Sequence, residues 1–275
     1  NWLPRPNLKQ LSLINKREFM IHPTAIIHPG AQLADNVSIG AYSTIGEHVV
    51  IGTGTKIASH VVVEGWTELG SDNTIFHFSS VGADPQDLKY AGQETYLKIG
   101  DRNRIREFTT LNRGTEEGGG ITKIGHDNLF MAYSHVAHDC IVNDHVILAN
   151  GATLAGHIEV ESNAILGGLS AVHQFCRIGC HTMISGGAMV AQDVPPYTIA
   201  QGDRAKTVGL NLIGLKRRGF TEESIKGIKK SYRLIFRSGL RLEEALEKIA
   251  DEVESTPELD HFVKFIKESQ RGIAR

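Results

Sequence analysis

The sequence predicts an all-β parallel β-helix followed by a small α-helical domain. Three observations predict it: an aliphatic residue recurs every sixth position through most of the chain, two interruptions leave that phase and rejoin it, and the C-terminal quarter changes to helical composition. From Ile21 the phase runs through Ile27, Leu33, Ile39, Ile45, Ile51, Ile57, Val63, Leu69, Ile75 and Val81. It returns at Ile99, Ile105 and Leu111, and again from Ile124 through Phe130, Val136, Val142, Leu148, Leu154, Val160, Leu166, Val172, Ile178 and Ile184 to Val190. A period of six fits neither the 3.6 of an α-helix nor a long simple strand. It suits short strands joined by turns around a triangular coil, three hexads to a coil. Each aliphatic side chain then points inward and stacks on its counterpart one coil later, so residues eighteen or nineteen apart become neighbours at about 4.8 Å.

The interruptions near 84–98 and 112–122, the second holding Gly118-Gly119-Gly120, read as loops leaving the coil, where function concentrates on a rigid scaffold. The repeat fades through Asp193-Val-Pro-Pro-Tyr197, which places the coil at 20–200 and the helical domain at 201–275. Thr221 before Glu222-Glu223 predicts a helix start and Gly239 its stop; Leu242 to Val253 forms a second helix, and Thr256-Pro257 enters a third. Three helices are expected to cap one end of the coil and cover its open sheet edge. Residues 1–19 share no pattern with the repeat, and Met20 reads as a native start preceded by a cloning extension, a native N-terminal arm being the alternative.

With a net charge of -2 and a hydrophobic fraction of 41%, the chain lacks whole-molecule attraction to nucleic acid or anionic membranes. Cys140, Cys176 and Cys180 form no regular framework, which fits a reducing cytoplasm. Neither a spanning apolar run nor a secretory signal pattern is present in the sequence.

The densest ionisable cluster inside the repeat is His135-Val-Ala-His138-Asp139-Cys140, followed by His145 and His157. His157 lies one coil and one residue beyond His138, and His173 with Gln174 lies about a further coil along, so a column of polar groups is expected. His22, His28, His60 and His261 read as incidental. For His138, an adjacent carboxylate and neighbouring imidazoles make the environment of a general base working near neutral pH. Such a base suits attack by a sugar hydroxyl on an acyl thioester, with the N–H of Gly156 available to the tetrahedral oxyanion. Cys140, the obvious competing nucleophile, occupies the fifth hexad position, where small residues turn inward, and reads as a buried thiol.

The runs His135–Cys140, Ala155-Gly-His157, Ala171-Val-His-Gln-Phe-Cys176, Ala191-Gln-Asp-Val-Pro-Pro-Tyr197, Ile199-Ala-Gln-Gly202 and Gly214-Leu-Lys-Arg-Arg-Gly-Phe220, in this order, closely resemble the UDP-N-acetylglucosamine 3-O-acyltransferases. The resemblance covers nearly everything after Met20. It implies a left-handed β-helix, an exception to the usual crossover hand, and a homotrimer with active sites between subunits. It also implies transfer of a fatty acyl group, typically 3-hydroxylated, from acyl carrier protein to the 3-hydroxyl of UDP-N-acetylglucosamine, the first step of lipid A synthesis, with no cofactor and no metal. By the same resemblance His138 is the general base, Asp139 orients it, Gly156 supplies the oxyanion contact, and His135, His157, His173 and Gln174 line the cleft. The matching loop Gly82–Tyr90 brings Gln86, Asp87 and Lys89 to sugar and acyl contacts, and Asn211, Arg217 and Arg218 hold the nucleotide. Gly186 matches an acyl-length ruler; a corner glycine is the other reading. Lys216, Arg217, Arg218, Lys226, Lys229, Lys230, Arg233 and Arg237 would receive the acidic carrier protein, a merely solvated face being the alternative for Lys226–Arg237. Rival functions are N-acylation of an amino-substituted UDP-sugar, a zinc-dependent carbonic anhydrase-like protein using His135, His138 and His157, and a non-catalytic scaffold.

Overall fold

A computed structural model describes residues 20–275; the expected cloning extension at 1–19 lies outside the described residues. The hexads form a left-handed parallel β-helix whose three faces are sheets of nine, eight and ten strands. Most strands are only two residues long, and each pairs in parallel with the strand eighteen residues on: Val136 with Leu154 and Leu154 with Val172 on one face, Val142 with Val160 on the next, Leu148 with Leu166 on the third. The sixth-position aliphatics build one continuous core, with Ile45, Ile75, Leu111, Leu148, Leu154 and Val160 all at 1% exposure or less. Each is worth about 1.5–3 kcal/mol relative to exposure. A second inward position, two residues before the sixth-position one, holds either apolar residues such as Val49, Val61, Ala152 and Ile158 or polar ones such as Ser43 and Thr55. There Asn73, Asn103 and Asn128 form a buried ladder: Asn73 Oδ1 accepts from the Asn103 amide at 2.9 Å, and Asn103 Oδ1 from the Asn128 amide at 3.0 Å.

The corners between faces are left-handed, and side chains other than glycine occupy them: Tyr42, His60, Phe78, Phe108, Tyr133, Asp139, His157 and Phe175 all have φ between 58° and 65°. This conformation costs about 1–2 kcal/mol for such residues. Backbone bonds to the previous coil help to offset that cost, for instance from the amide of His157 to the carbonyl of His138 at 3.0 Å. Left-handed corners ordinarily favour glycine or asparagine. Here the corner side chains stack outside the prism, as Phe78, Phe108 and Tyr133 do at centroid spacings of 5.2 and 4.8 Å.

Both excursions are present, with shorter bounds than expected. The chain leaves after the strand Ser80–Ala83 and rejoins at Tyr96–Ile99, then leaves after Thr110–Asn112 and rejoins at Ile121–Ile124. The rejoining strands are four residues long because they pair along their whole length, Tyr96 with Trp66 and with Ile121. The C-terminal end also differs from expectation. A hairpin, Thr198–Gln201 antiparallel to Lys206–Leu210, adds itself to the last coil by pairing Met183 with Ile199, so strands rather than helices extend that edge. Four helices follow: α1 (Leu212–Arg217), α2 (Glu222–Phe236), α3 (Leu242–Glu252) and α4 (Pro257–Lys267). The short α1 was not anticipated. Thr221 and Thr256 cap α2 and α4, accepting from Ser224 N at 3.1 Å and Leu259 N at 3.3 Å, as the sequence suggested. The chain end returns to the coil, where the Ala274 amide donates to the Asp193 carbonyl at 2.8 Å.

Candidate active site

Asp139, His157 and Phe175 occupy successive places on one corner column, and His138 precedes that corner. The offset lets His138 and His157 meet edge to face at 5.1 Å between centroids, while Phe175 stacks on His157 at 4.5 Å. The expected polar column therefore ends in a phenyl ring. His173 is not on it: it is exposed and faces a separate depression with Met189, Arg204 and Arg271, whereas Gln174, also exposed, lies one coil beyond Gly156 in the register of His138. The slip is one of corner register, since the place after His157 belongs to residue 175.

His138 and Asp139 form a buried pair, His138 Nδ1 to Asp139 Oδ2 at 2.8 Å, with side chains 12% and 1% exposed. An ionised carboxylate only accepts, so the Nδ1 proton is donated to it and the basic lone pair of the neutral ring falls on Nε2. Thr115, in the second excursion, fixes the other side of the carboxylate. Its amide donates to Oδ1 at 2.8 Å and its hydroxyl to Oδ2 at 2.6 Å. Thr122 Oγ1 accepts from the Asp139 amide at 2.8 Å. Gly118 closes over the carboxylate, where a Cβ would overlap it.

Gly156 lies against the His138 ring: a Cβ there would sit 2.5 Å from Cε1 and 2.8 Å from Nε2. Among the described residues its N–H donates to no acceptor, which leaves it available beside the base. His135 turns its Nδ1 to Thr110 Oγ1 at 2.7 Å, and burial, then the neighbouring His138, holds its pKa below the ordinary histidine value. Burial likewise depresses His157, against an opposing pull from the Asp139 carboxylate. Burial raises the Cys140 thiol to about 12, and its S–H donates to the Ala155 carbonyl at 3.1 Å, so this cysteine is not a nucleophile at neutral pH. The three imidazoles of the zinc rival do not form a set. At this site the side-chain ligand atoms within 4.8 Å of one another belong to His138, Asp139 and His157, without His135, and the Asp139 oxygens already accept hydrogen bonds from His138 and Thr115.

The first excursion carries Gln86, Asp87 and Lys89. Asp87 lies close enough to His157 for its charge to act on that ring. Gln86 and Lys89 are exposed, and Lys89 reaches across to Glu117 of the second excursion at 2.8 Å. Beside the pair, a cavity of about 930 Å³ extends from Asp139, His157 and Phe175 along one face to Arg177 and to His261 and Phe265 of α4. His261 thus lies on a wall of this cavity, bonded to Glu161 at 2.8 Å, which its sequence surroundings did not signal.

The remaining anticipated residues lie elsewhere on the chain. Asn211 caps α1, accepting from Gly214 N at 3.1 Å and donating to the carbonyl of His181 at 3.0 Å. Arg217 and Arg218 are exposed at the end of α1, and among the described residues neither guanidinium has an acidic partner. His181 marks a different corner from the one that holds Asp139 and His157. One chain therefore does not bring these residues to His138. Gly186 is exposed and, unlike Gly187 at φ 69°, has no left-handed backbone, so the corner-glycine reading applies to its neighbour.

Comparison with known proteins agrees with this geometry. The model of the bacterial transferase hexapeptide (six repeats) matches residues 20–53, 30–65 and 121–156, and that of Udp N-acetylglucosamine O-acyltransferase, domain 2, matches 193–274. The acyl-[acyl-carrier-protein]–UDP-N-acetylglucosamine O-acyltransferase of Herminiimonas arsenicoxydans is 55% identical over 93% of this chain and 99% of its own length, and that of Myxococcus xanthus is 54% identical over the same shares. Among solved structures, LpxA from Acinetobacter baumannii superposes with a TM-score of 0.91 at 47% identity, covering 93% of this chain and all of its own. The UDP-N-acetylglucosamine acyltransferase of Bacteroides fragilis does so with 0.91 at 44%, with the same coverage. With an ordered hexapeptide coil, a buried His138–Asp139 pair and this likeness along its length, the chain belongs to the UDP-N-acetylglucosamine O-acyltransferase family.

Proposed function

We propose that the protein transfers a fatty acyl group, typically 3-hydroxylated, from acyl carrier protein to the 3-hydroxyl of UDP-N-acetylglucosamine, the opening reaction of lipid A synthesis. The observation that carries this reading is the buried His138–Asp139 pair with an unhindered glycine N–H beside it. His138 Nε2 takes the proton of the sugar hydroxyl as the oxygen attacks the thioester carbonyl, and Asp139 holds the ring and stabilises the imidazolium that forms. The Gly156 N–H donates to the oxyanion of the tetrahedral intermediate. Collapse expels the carrier-protein thiolate, which recovers a proton from the imidazolium, so no acyl-enzyme forms. His135 and His157, neutral at pH 7, line the acceptor site without competing for the proton, and Gln86, Asp87 and Lys89 face the sugar and the acyl group.

His173, Asn211, Arg217 and Arg218 act from another subunit. Their displacement from the His138 corner supports a homotrimer in which each active site lies between two chains, the guanidiniums gripping the diphosphate. The outward face of Gly186 then borders the acyl chain, and the basic residues of α1 and α2 steer the acidic carrier protein. Among the described residues no helix is long and apolar enough to cross a membrane, and a cytoplasmic site of action suits both substrates. Mass spectrometry of protein incubated with UDP-N-acetylglucosamine and a panel of acyl carrier proteins tests the reading. One alkali-labile acylated sugar nucleotide is expected; an alkali-stable amide, formed only with an amino-sugar acceptor, would replace O-acylation by N-acylation.

A further inference from the structure

We infer that Arg113 is the positioning residue of the substrate loop: its buried guanidinium ties both ends of the first excursion to the coil and thereby sets where Gln86, Asp87 and Lys89 stand. The inference rests on the proposed function for what the loop contacts, but the tether itself is a matter of geometry. The Arg113 side chain is 4% exposed, and burying a cation costs several kcal/mol unless it is well bonded. An apolar side chain would fill a purely structural socket at lower cost.

The side-chain hydrogen bonds of Arg113 go to one segment. Nη1 donates to the Gly82 carbonyl; Nη2 donates to the Asp84 carboxylate and, at 2.9 Å, to the Tyr90 hydroxyl. Tyr90 passes the tie onward, its hydroxyl donating to the Gln93 carbonyl at 2.9 Å. The guanidinium lies 5.6 Å from the Trp66 ring and 6.0 Å from that of Tyr90. Gly65, left-handed at φ 62°, leaves the space: a Cβ there would overlap the guanidinium. Two further bonds reinforce the entry: the Arg113 backbone amide donates to Ala83 O at 3.1 Å and the Asn112 side-chain Nδ2 donates to Asp84 O at 2.7 Å. Residues 84, 90 and 93 are thus held from one point, and Gln86, Asp87 and Lys89 are carried between them. Two residues further on, Thr115 grips Asp139, so the segment 113–115 links the loop to the base.

Arg113→Lys keeps the charge and loses the fork, and Asp84→Asn alters a side chain that is 71% exposed, so the second variant folds even if the first does not. Amide hydrogen exchange and steady-state kinetics are measured on both and on wild type. Exchange across 84–93 is expected to quicken about tenfold or more in Arg113→Lys and several-fold in Asp84→Asn, with KM for UDP-N-acetylglucosamine rising in parallel and kcat within about threefold. Unchanged exchange would overturn the tether. Quickened exchange at unchanged KM would overturn the positioning role. Inactivity of wild type would refute the proposed function instead, and the exchange data would still decide the tether.

Discussion

Gly156→Ala tests the placement of the base most sharply, because the structure fixes the size of the perturbation. The new Cβ would sit 2.5 Å from His138 Cε1 and 2.8 Å from Nε2. Ordinary carbon contacts lie near 3.5 Å, so the ring must retreat by about 1 Å. It cannot do so while keeping the 2.8 Å bond to Asp139, which Thr115 and Thr122 hold in place. Misplacing a reacting group by about 1 Å costs on the order of 100-fold, or about 2.7 kcal/mol of barrier. Gly156 is not left-handed, so alanine adds no backbone strain, and the loss of stability should be confined to the displaced ring and its loosened bond to Asp139, about 1–3 kcal/mol. Steady-state assays with saturating acyl carrier protein should show kcat reduced about 100-fold and KM for the sugar nucleotide within about threefold. A Gly156→Ala protein with wild-type kcat would refute the argument that this ring, in this position, is the base.

Other predictions follow from the same contacts. Thr115→Val removes the hydroxyl at 2.6 Å from Asp139 and should lower kcat about tenfold, while Thr115→Ser restores it; equal activity of the two variants would remove Thr115 from the positioning of the pair. Asn103→Ala leaves the Asn128 amide and the Gly125 carbonyl without their buried partner and should cost about 2–4 kcal/mol, read as a lower denaturation midpoint. Burial, aided by Arg218, depresses the folded pKa of His181 to about 4. Below the unfolded value of about 6.5 the unfolded chain binds a proton that the native one does not, so stability falls as pH drops from about 6.5 towards 4. His261, raised by its bond to Glu161, acts in the opposite sense: its contribution is present below about 6.5 and is lost as pH rises through its folded value. Melting curves of His181→Phe should therefore decline less between pH 6.5 and 4 than wild type, and an identical decline would show that His181 does not supply it.

The coil was legible because its core obeys one rule: from Ile39 onward every sixth side chain, aliphatic at all positions but Phe130, is buried inside the prism and stacks on its counterpart one coil away. The loops were legible as losses of that phase. The Asn73–Asn103–Asn128 ladder could also have been read, since all three residues precede an inward sixth-position residue by two places, Ile75, Ile105 and Phe130, as Cys140 precedes Val142. The corners were not legible, because tyrosine and phenylalanine at positive φ contradict local preference and are held there by the inter-coil backbone bonds and by stacking on neighbouring corners. Thr115 escaped because its contact with Asp139 depends on how a glycine-rich loop folds back, and no period reports that; a lone threonine between Gly114 and Gly118 was its only signal. The misplacement of His173 has a simpler cause. A one-residue displacement reads as a small offset in sequence, yet at a corner it turns a side chain onto another face.

The central claim is that His138 acts as a general base in direct acyl transfer. Single-turnover kinetics of wild type and His138→Ala, with intact-protein mass spectrometry of the quenched mixtures, tests it most directly. The account predicts a folded variant slowed by about 10²–10⁴-fold and no acyl adduct on either protein. Near-normal turnover in the variant, or an acylated wild-type chain appearing before product, would contradict it.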